Sequence, residues 1–305
     1  MTALQAFSND LADLVAAAAP SVVGIEHRRG QGSGVVLAQD GYVLTTAHVA
    51  AGGGPLRVRL PGARVVAGEL VGADERTDLA VVRAAATDLP PLALADRRLR
   101  VGEVVVAIGN PLGFERSVSL GVVSALYRNL ARGANAPGGV LEGLVQTDAA
   151  VNPGNSGGPL LDAHGAVAGV TTAMLPWARG IGFAIPATTA SWVASTLIHE
   201  GAVRRPFLGV AARGEDLEPA AARDLGRSRA VRVLDVVAGS PAAEAGLRPG
   251  DLIVGAGGAP AETLDDVVRV MVLGHPPELA LDVRRGGDPR VLRIRPRPPM
   301  DRAAA

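Results

Sequence analysis

The chain has 305 residues, which is enough for two domains, and 48% of them are hydrophobic. Thirty basic residues balance thirty acidic ones, so the sequence lacks the basic excess that is typical of nucleic-acid-binding proteins. The absence of cysteine excludes disulfides, thiolate catalysis and cysteine-ligated zinc. The 39 glycines and 22 prolines, with only 3% aromatic residues, indicate many short strands around an aliphatic core.

The first 19 residues are predicted to form an amphipathic helix that packs on the body of the protein and ends at Pro20. Its apolar residues at helical spacing are Leu4, Phe7, Leu11, Leu14 and Val15. The segment lacks the positive region of a secretory signal and is too short to span a membrane. We therefore expect a cytoplasmic location if the sequence is complete, and a periplasmic or extracytoplasmic one if it is trimmed.

Short apolar runs of strand length then alternate with turn residues from Ser21 to Thr172, which favours antiparallel barrels or sandwiches. The runs are 21–26, 34–37, 42–45, 65–71, 79–83, 104–108, 118–126, 144–147, 159–161 and 166–172, with 183–185 beyond them. Turn-rich gaps at 129–142 and 174–180 are predicted to be loops. A helix is expected at Ala187–His199, directly after Pro186.

A second unit of mixed character follows this helix. Its predicted strands are 208–211, 229–236, 252–255, 279–284 and 291–295, and its predicted helices are 219–225, 241–245 and 264–273. Residues 199–206 are predicted to link the units, and residues 299–305 to form a disordered tail.

The segment Asn152–Pro159, NPGNSGGP, is the first candidate for chemistry. Glycines around Ser156 allow a tight turn that exposes backbone N–H groups, and two such groups can stabilise an oxyanion. An ordinary glycine-rich turn is the alternative.

A nucleophilic serine needs a base, and His48 is the best candidate because it directly follows the apolar run 42–45. The other four histidines lie in turns or at element ends, as solvated surface residues would: His27, His164, His199 and His275. Asp78, which precedes an apolar strand, is the candidate acid, with Asp74 in the preceding turn as its rival. The chain order His48, Asp78, Ser156 is that of chymotrypsin-type proteases.

The chain resembles the HtrA/Deg family of trypsin-like serine proteases with one C-terminal PDZ domain, over roughly residues 20–296. The segments that carry the resemblance are GSGVV (32–36), TTAHV (45–49), DLAVV (78–82), AIGNPLG (107–113), SLGVVSAL (119–126), QTDAAVNPGNSGGPL (146–160), IGFAIP (181–186) and SPAAEAGLRPGD (240–251). The resemblance implies a mainly β fold of two six-stranded antiparallel barrels followed by a PDZ α+β domain. It places the protease domain at 20–198 and the PDZ domain at 207–298.

The resemblance also implies roles for individual residues. Ser156 would be the nucleophile, His48 the general base and Asp78 the residue that orients His48. The N–H groups of Gly154 and Ser156 would form the oxyanion hole. The segment Ile181, Gly182, Phe183 and Ala184 would pair with an extended substrate.

Two further residues bear on regulation and specificity. Asn155 stands where digestive trypsin-like enzymes have an aspartate that pairs with a new N-terminus, so activation by cleavage is not expected. We expect the ordering of loops 149–154, 174–180 and 129–142 to control activity instead. Ala150 is expected near the floor of the specificity pocket, which predicts cleavage after small or aliphatic residues.

In the second unit, Phe207, Leu208, Gly209 and Val210 match the segment at which PDZ domains bind a peptide C-terminus, with 264–273 as the other groove wall. A PDZ that only covers the protease is the alternative. A homotrimer is expected by resemblance, and Phe7 is either a contact between protomers or packs on its own barrel.

The predicted function is that of an ATP-independent endopeptidase of protein quality control, which acts on unfolded or damaged proteins. The sequence contains no GxxxxGK[ST] phosphate loop and no HExxH helix, so neither ATP nor a metal nor another cofactor is expected. The alternative is a non-proteolytic chaperone with the same fold, although an inactive relative would usually have lost a triad residue.

Overall fold

The computed structural model describes residues 2–28, 30–51, 54–110, 117–132, 139–152, 154–174 and 180–298. The chain divides into two compact units, residues 1–203 and residues 204–305. The predicted tail, 299–305, lies outside the described residues. Across the described part of the chain, no helix has the length and apolar character needed to cross a membrane.

The first barrel consists of six antiparallel strands in the order β1-β2-β3-β6-β5-β4, which closes on itself. Its strands are β1 (Val22–His27), β2 (Gly30–Val36), β3 (Tyr42–Thr46), β4 (Leu56–Arg59), β5 (Val65–Asp74) and β6 (Leu79–Ala84). A one-turn helix, α2 (Ala47–Ala50), follows β3 directly. The barrel interior is filled by β-branched and leucine side chains such as Val23, Ile25 and Val58, as the aliphatic composition predicts.

The second barrel has the strand order β10-β11-β12-β9-β8-β7. Its strands are β7 (Val104–Gly109), β8 (Ser117–Ala131), β9 (Val140–Thr147), β10 (Pro159–Asp162), β11 (Val167–Met174) and β12 (Gly182–Pro186). β8 and β9 extend into the segment 129–142 that was predicted to be a loop, and residues 133–138 between them are outside the described part. β8 and β9 are therefore longer than the predicted runs 118–126 and 144–147.

The helix α3 (Ala187–Glu200) contacts strands of both barrels, β5 and β6 of the first and β11 and β12 of the second. Trp192, Val193 and Leu197 are buried on its inner face. Gly201 ends the helix in the left-handed conformation. A Cβ at Gly72 of β5 would lie 2.3 Å from the Gly201 carbonyl oxygen, so this close approach requires glycine.

The N-terminal helix α1 (Ala3–Ala18) forms as predicted, and its apolar face is only partly covered. Thr2 and Gln5 form a capping box at its start. Ala18 is its only buried residue, while Leu4 and Phe7 are 76% and 44% exposed. The apolar face of α1 is therefore exposed at Leu4 and Phe7 in the described single chain, while Leu11, Leu14 and Val15 on the same face are half-buried.

The second unit is a small α+β domain with the sheet order β13-β14-β15-β17-β18, in which β16 pairs with β15. Its strands are β13 (Val210–Asp216), β14 (Arg229–Val236), β15 (Leu252–Ala256), β16 (Ala259–Pro260), β17 (Leu279–Arg285) and β18 (Asp288–Ile294). Its helices are α4 (Pro219–Leu225), α5 (Pro241–Glu244) and α6 (Leu264–Gly274). The predicted fold class, two antiparallel barrels followed by an α+β domain, is confirmed.

An ion pair between the buried Asp251 and the half-buried Arg285 connects the start of β15 to the end of β17. Arg285 donates two hydrogen bonds of 2.7 Å to the Asp251 carboxylate and a third of 2.7 Å to the Gly246 carbonyl. The Arg248 N–H donates to the same carboxylate at 2.9 Å. Burial by itself would raise the pKa of Asp251, but these hydrogen bonds and charges outweigh it, and the pKa lies below its ordinary value.

Substitution Asp251→Asn is expected to lower the free energy of unfolding of the second unit, because Arg285 loses the negative charge that accepts two of its hydrogen bonds. Native-state hydrogen exchange of β15 and β17 amides in the full chain measures this change. Because the folded pKa is lowered, the wild type has the full contribution above about pH 4 and loses it as pH falls through the folded pKa. The exposed Asp235→Asn variant is the matched control, and equal exchange in the two variants would contradict the prediction.

Candidate active site

The first barrel brings His48 and Asp78 together. His48 lies in α2, immediately after β3, and Asp78 ends the turn that precedes β6. The distance from His48 Nδ1 to Asp78 Oδ2 is 2.8 Å. The Ala47 N–H donates to the Asp78 carbonyl at 3.0 Å, and the His48 N–H donates to Asp78 Oδ1 at 3.1 Å. Backbone and side-chain hydrogen bonds therefore fix the imidazole relative to the carboxylate.

Asp78 has an uncommon backbone conformation, with φ of 60° in the left-handed region. Aspartate is one of the few residues other than glycine that adopt this region at modest cost. The conformation turns a carboxylate that is only 2% exposed towards His48. The rival Asp74 instead accepts hydrogen bonds from the Thr77 N–H and hydroxyl in the same turn.

Two residues that sequence reasoning missed also bind the Asp78 carboxylate. Thr172 of β11 donates its hydroxyl to Oδ2, and Arg132, directly after β8, lies 3.0 Å from Oδ1. Burial by itself would raise the pKa of Asp78. The hydrogen bonds from His48 and Thr172 and the charge of Arg132 outweigh burial, and the pKa lies below its ordinary value.

Thr172 reaches this position because β11 contains a bulge. Thr171 pairs with Ala184 and Ala173 pairs with Phe183, so Thr172 is the extra residue in the ladder. Its carbonyl accepts a hydrogen bond of 3.1 Å from Ser156 Oγ. Thr172 thus contacts both Asp78 and Ser156, while no hydrogen bond joins Ser156 Oγ to His48 within the described residues.

The second barrel positions Ser156 through contacts with β2 of the first barrel. The Ser33 N–H donates to the Ser156 carbonyl at 2.8 Å, and Ser33 Oγ donates to the Gly154 carbonyl at 2.6 Å. Gly157 has φ of 87°, and a Cβ there would lie 2.1 Å from the Ser33 carbonyl oxygen. The close approach of these two segments explains why the chain around Ser156 is rich in glycine.

The turn before Ser156 leaves two backbone donors without an acceptor. Asn155 is buried, and its N–H donates to the Asn152 carbonyl at 2.9 Å, which closes the turn. Gly154, inside the turn, has φ of 100°. The N–H groups of Gly154 and Ser156 donate to no described residue. These are the two donors that were predicted to form the oxyanion hole.

Within the segment Ile181–Ala184, which was predicted to pair with an extended substrate, the strand pairing contradicts this role for Gly182–Ala184. Gly182, Phe183 and Ala184 of β12 pair with β11 on one side and with β9 on the other. A strand with both edges occupied cannot add a third, so a peptide cannot pair there. On the side of β11 that pairs with β10, Thr171 is bound by Gly157 and Gly158, and no described strand pairs with Thr172–Met174, beside Ser156.

The remaining residues that the sequence singled out are Ala150 and the four histidines other than His48. Ala150 is exposed, and its carbonyl accepts hydrogen bonds from Ser119 Oγ and Asn155 Nδ2. The described parts of the chain contain no group of three or more acidic or histidine side chains arranged to hold a metal ion. The other histidines lie on separate elements: His27 ends β1, His164 is in a turn, His199 is in α3 and His275 follows α6.

Comparison with known proteins defines the class. A family model described as a trypsin-like peptidase domain matches residues 32–170, and one described as a PDZ domain matches residues 232–285. The chain is 42% identical over 284 residues to the putative serine protease HhoB of Synechocystis sp., covering 88% of this chain and 67% of that protein. It is 43% identical over 235 residues to a probable periplasmic serine endoprotease, DegP-like, of Hahella chejuensis, covering 76% of this chain and 49% of that protein.

Solved structures agree with this assignment. The HtrA-type protease AlgW with a tripeptide is 35% identical, with a TM-score of 0.73, over 96% of this chain and 98% of that one. A serine endoprotease from Yersinia pestis is 31% identical, with a TM-score of 0.65, over 94% and 97% of the two chains. The chain belongs to the HtrA/DegP-like family of serine proteases, and the predicted enzyme class is confirmed. It spans about half the length of the DegP-like relative.

Substitution Thr172→Val is expected to lower kcat/KM by about tenfold, because it removes a hydroxyl that donates to the buried Asp78 charge but keeps a similar shape. Thr172→Ser retains the hydroxyl and should keep most of the activity. Steady-state cleavage of a peptide substrate by the two variants measures the difference. A loss of activity in Thr172→Ser without a loss in Thr172→Val would show that the methyl packing, not the hydrogen bond, matters.

Proposed function

We propose that this chain is an ATP-independent serine endopeptidase of protein quality control, which cleaves unfolded or damaged proteins through a Ser-His-Asp triad. The observation that carries the proposal is the 2.8 Å contact between His48 Nδ1 and the buried Asp78 carboxylate, next to Ser156. A carboxylate on Nδ1 leaves Nε2 of the neutral imidazole free to accept the serine proton.

In the proposed reaction, the Ser156 hydroxyl leaves the Thr172 carbonyl, turns to His48 and gives up its proton as Oγ attacks the substrate carbonyl. The N–H groups of Gly154 and Ser156 stabilise the oxyanion that develops. His48 then protonates the leaving amine, which gives an acyl-enzyme. Water, activated by His48, hydrolyses the ester and restores Ser156.

The free edge at the end of β11 supports a preference for extended substrates. A peptide that adds to this edge is bound through backbone hydrogen bonds, which require an unfolded segment but no particular sequence. The edge runs from Thr172, whose carbonyl already lies beside Ser156, so a bound peptide would present its backbone to the nucleophile. This geometry fits a protease that recognises unfolded chains.

The second unit supports a binding site for peptide C-termini. The N–H groups of Leu208 and Gly209 donate to no described residue, while their carbonyls accept hydrogen bonds from Ala242 and Val237. The free donors precede β13, an edge strand whose outer side is open for an added strand. Two backbone N–H groups beside an open edge suit a carboxylate at the end of an extended peptide. We assign this site to Phe207, Leu208, Gly209 and Val210.

Two further parts of the proposal rest on the exposed helix α1 and on the loops. A homotrimer is proposed because Phe7 and Leu4 are exposed and need cover, which other protomers would supply. Control of activity by loop ordering is proposed because the Ser156 hydroxyl faces Thr172 and must turn before reaction. Of the loops named for this control, residues 133–138, 153 and 175–179 lie outside the described part.

Wild-type protein is expected to cleave casein, and Ser156→Ala is expected to lose at least about a thousandfold in rate because it lacks the nucleophile. Gel analysis of casein fragments over time, in the absence of ATP, measures this. Ser195→Ala, a change on the helix α3 away from the triad, is the matched control and should retain activity.

The orientation of Ser156 away from His48 also favours the second candidate, a non-proteolytic chaperone. Light scattering of an aggregation-prone client protein distinguishes the two. If the wild type and Ser156→Ala both suppress aggregation and neither cleaves casein or peptides, the chaperone function replaces the protease function.

Cleavage is expected after small or aliphatic residues, because Ala150 offers no negative charge to an arginine or lysine side chain. Sequencing the products of a randomised peptide library measures this preference. A library in which arginine or lysine predominates before the cut would contradict the assignment of Ala150 to the specificity pocket.

A further inference from the structure

The Asp78 carboxylate is bound by four donors that come from three different elements. Oδ1 accepts the His48 N–H at 3.1 Å and lies 3.0 Å from Arg132 Nη2. Oδ2 lies 2.8 Å from His48 Nδ1 and accepts the Thr172 hydroxyl. A carboxylate offers about four lone-pair sites, so this set saturates it. Arg132 is the only one of the three donor residues that also carries a permanent charge.

Arg132 contacts both ends of the turn Glu75–Asp78. Besides the ion pair with Asp78, its Nη1 donates to the Glu75 carbonyl at 2.7 Å. The turn Glu75–Asp78 has to hold Asp78 at φ of 60°, a conformation that costs free energy. The planar guanidinium, with its fixed fork of donors, suits a clamp on two acceptors.

The backbone of Arg132 is fixed where β8 leaves the second barrel. Its N–H donates to the Gly139 carbonyl at 2.8 Å, which closes the end of the β8–β9 pair. Its side chain is only 16% exposed, so the ion pair with Asp78 is weakly screened by solvent. Arg132 therefore connects the second barrel to the turn of the first barrel that carries Asp78.

We propose that Arg132 is a positioning residue for the proteolytic reaction, which clamps the Glu75–Asp78 turn and sets the charge balance at Asp78. This inference rests on the proposed function, in which Asp78 orients His48. The clamp keeps Asp78 aimed at His48, and the positive charge of Arg132 offsets the negative charge of Asp78 beside the imidazole. The charged or titratable groups that face the carboxylate or share its turn are His48, Arg132, Asp74, Glu75 and Arg76.

The test compares Arg132→Met, which removes the charge and the donors, with the matched control Arg128→Met, in β8, the strand that ends directly before Arg132. Arg128 binds Gln146 rather than Asp78. We expect Arg132→Met to lower kcat about tenfold with KM little changed. We also expect it to move the acidic limb of the kcat/KM profile upward by about half a pH unit or more. Arg128→Met should leave both unchanged.

The conservative variant Arg132→Lys separates charge from clamping. Lysine keeps the positive charge, so the acidic limb should return to its wild-type position. Its ammonium lacks the planar fork, so only part of kcat should be recovered. An Arg132→Met enzyme with the same kcat and acidic limb as Arg128→Met would overturn the proposal.

Hydrogen exchange of the His48 amide supplies a readout that does not depend on cleavage. That amide donates to Asp78 Oδ1, so release of the turn in Arg132→Met should speed its exchange about tenfold or more. If the wild type does not cleave any peptide, the proposed function fails, and the exchange rate still decides this inference. Unchanged exchange of the His48 amide in Arg132→Met would contradict the clamp.

Discussion

The hydrogen-bonded environment of the Asp78 carboxylate is the constraint on which the rest of the site depends. A buried carboxylate is stable only if its lone pairs are occupied, and here the donors come from α2, β11 and the end of β8. Thr172 also accepts a hydrogen bond from Ser156, and Arg132 also binds the Glu75 carbonyl of the turn that contains Asp78. The contacts to this one buried carboxylate therefore connect the two barrels at the site.

Glycine makes the close contact between the barrels possible. The Ser156 segment passes so close to β2 that a side chain at Gly157 would collide with the Ser33 backbone, and one at Gly32 would collide with the Ser156 carbonyl oxygen. Ser33 donates one hydrogen bond to the Ser156 carbonyl and another to the Gly154 carbonyl. The glycine-rich sequence is thus explained by packing as well as by the exposure of the Gly154 and Ser156 N–H groups.

The sequence predicted the barrels, the α+β unit and the meeting of His48 with Asp78, because strand-length runs and local motifs carry that information. It could not predict Thr172, because a β-bulge that re-aims one residue depends on pairing with β12. Arg132 was missed because it belongs to the opposite barrel and lies in a segment that was interpreted as a loop. The pairing of β12 on both of its sides could not be predicted, since it depends on the strand order of the second barrel.

The most direct test of the central claim is covalent labelling with a fluorophosphonate, a reagent that phosphorylates an activated serine hydroxyl. Peptide mass spectrometry of the labelled full chain locates the adduct. The account predicts a single adduct on Ser156 that forms much more slowly in His48→Ala and Asp78→Asn. The first change removes the base that activates Oγ, and the second removes the carboxylate that orients this base. An unlabelled wild type, an adduct on another residue, or labelling of Ser156 at the same rate in both variants would contradict it.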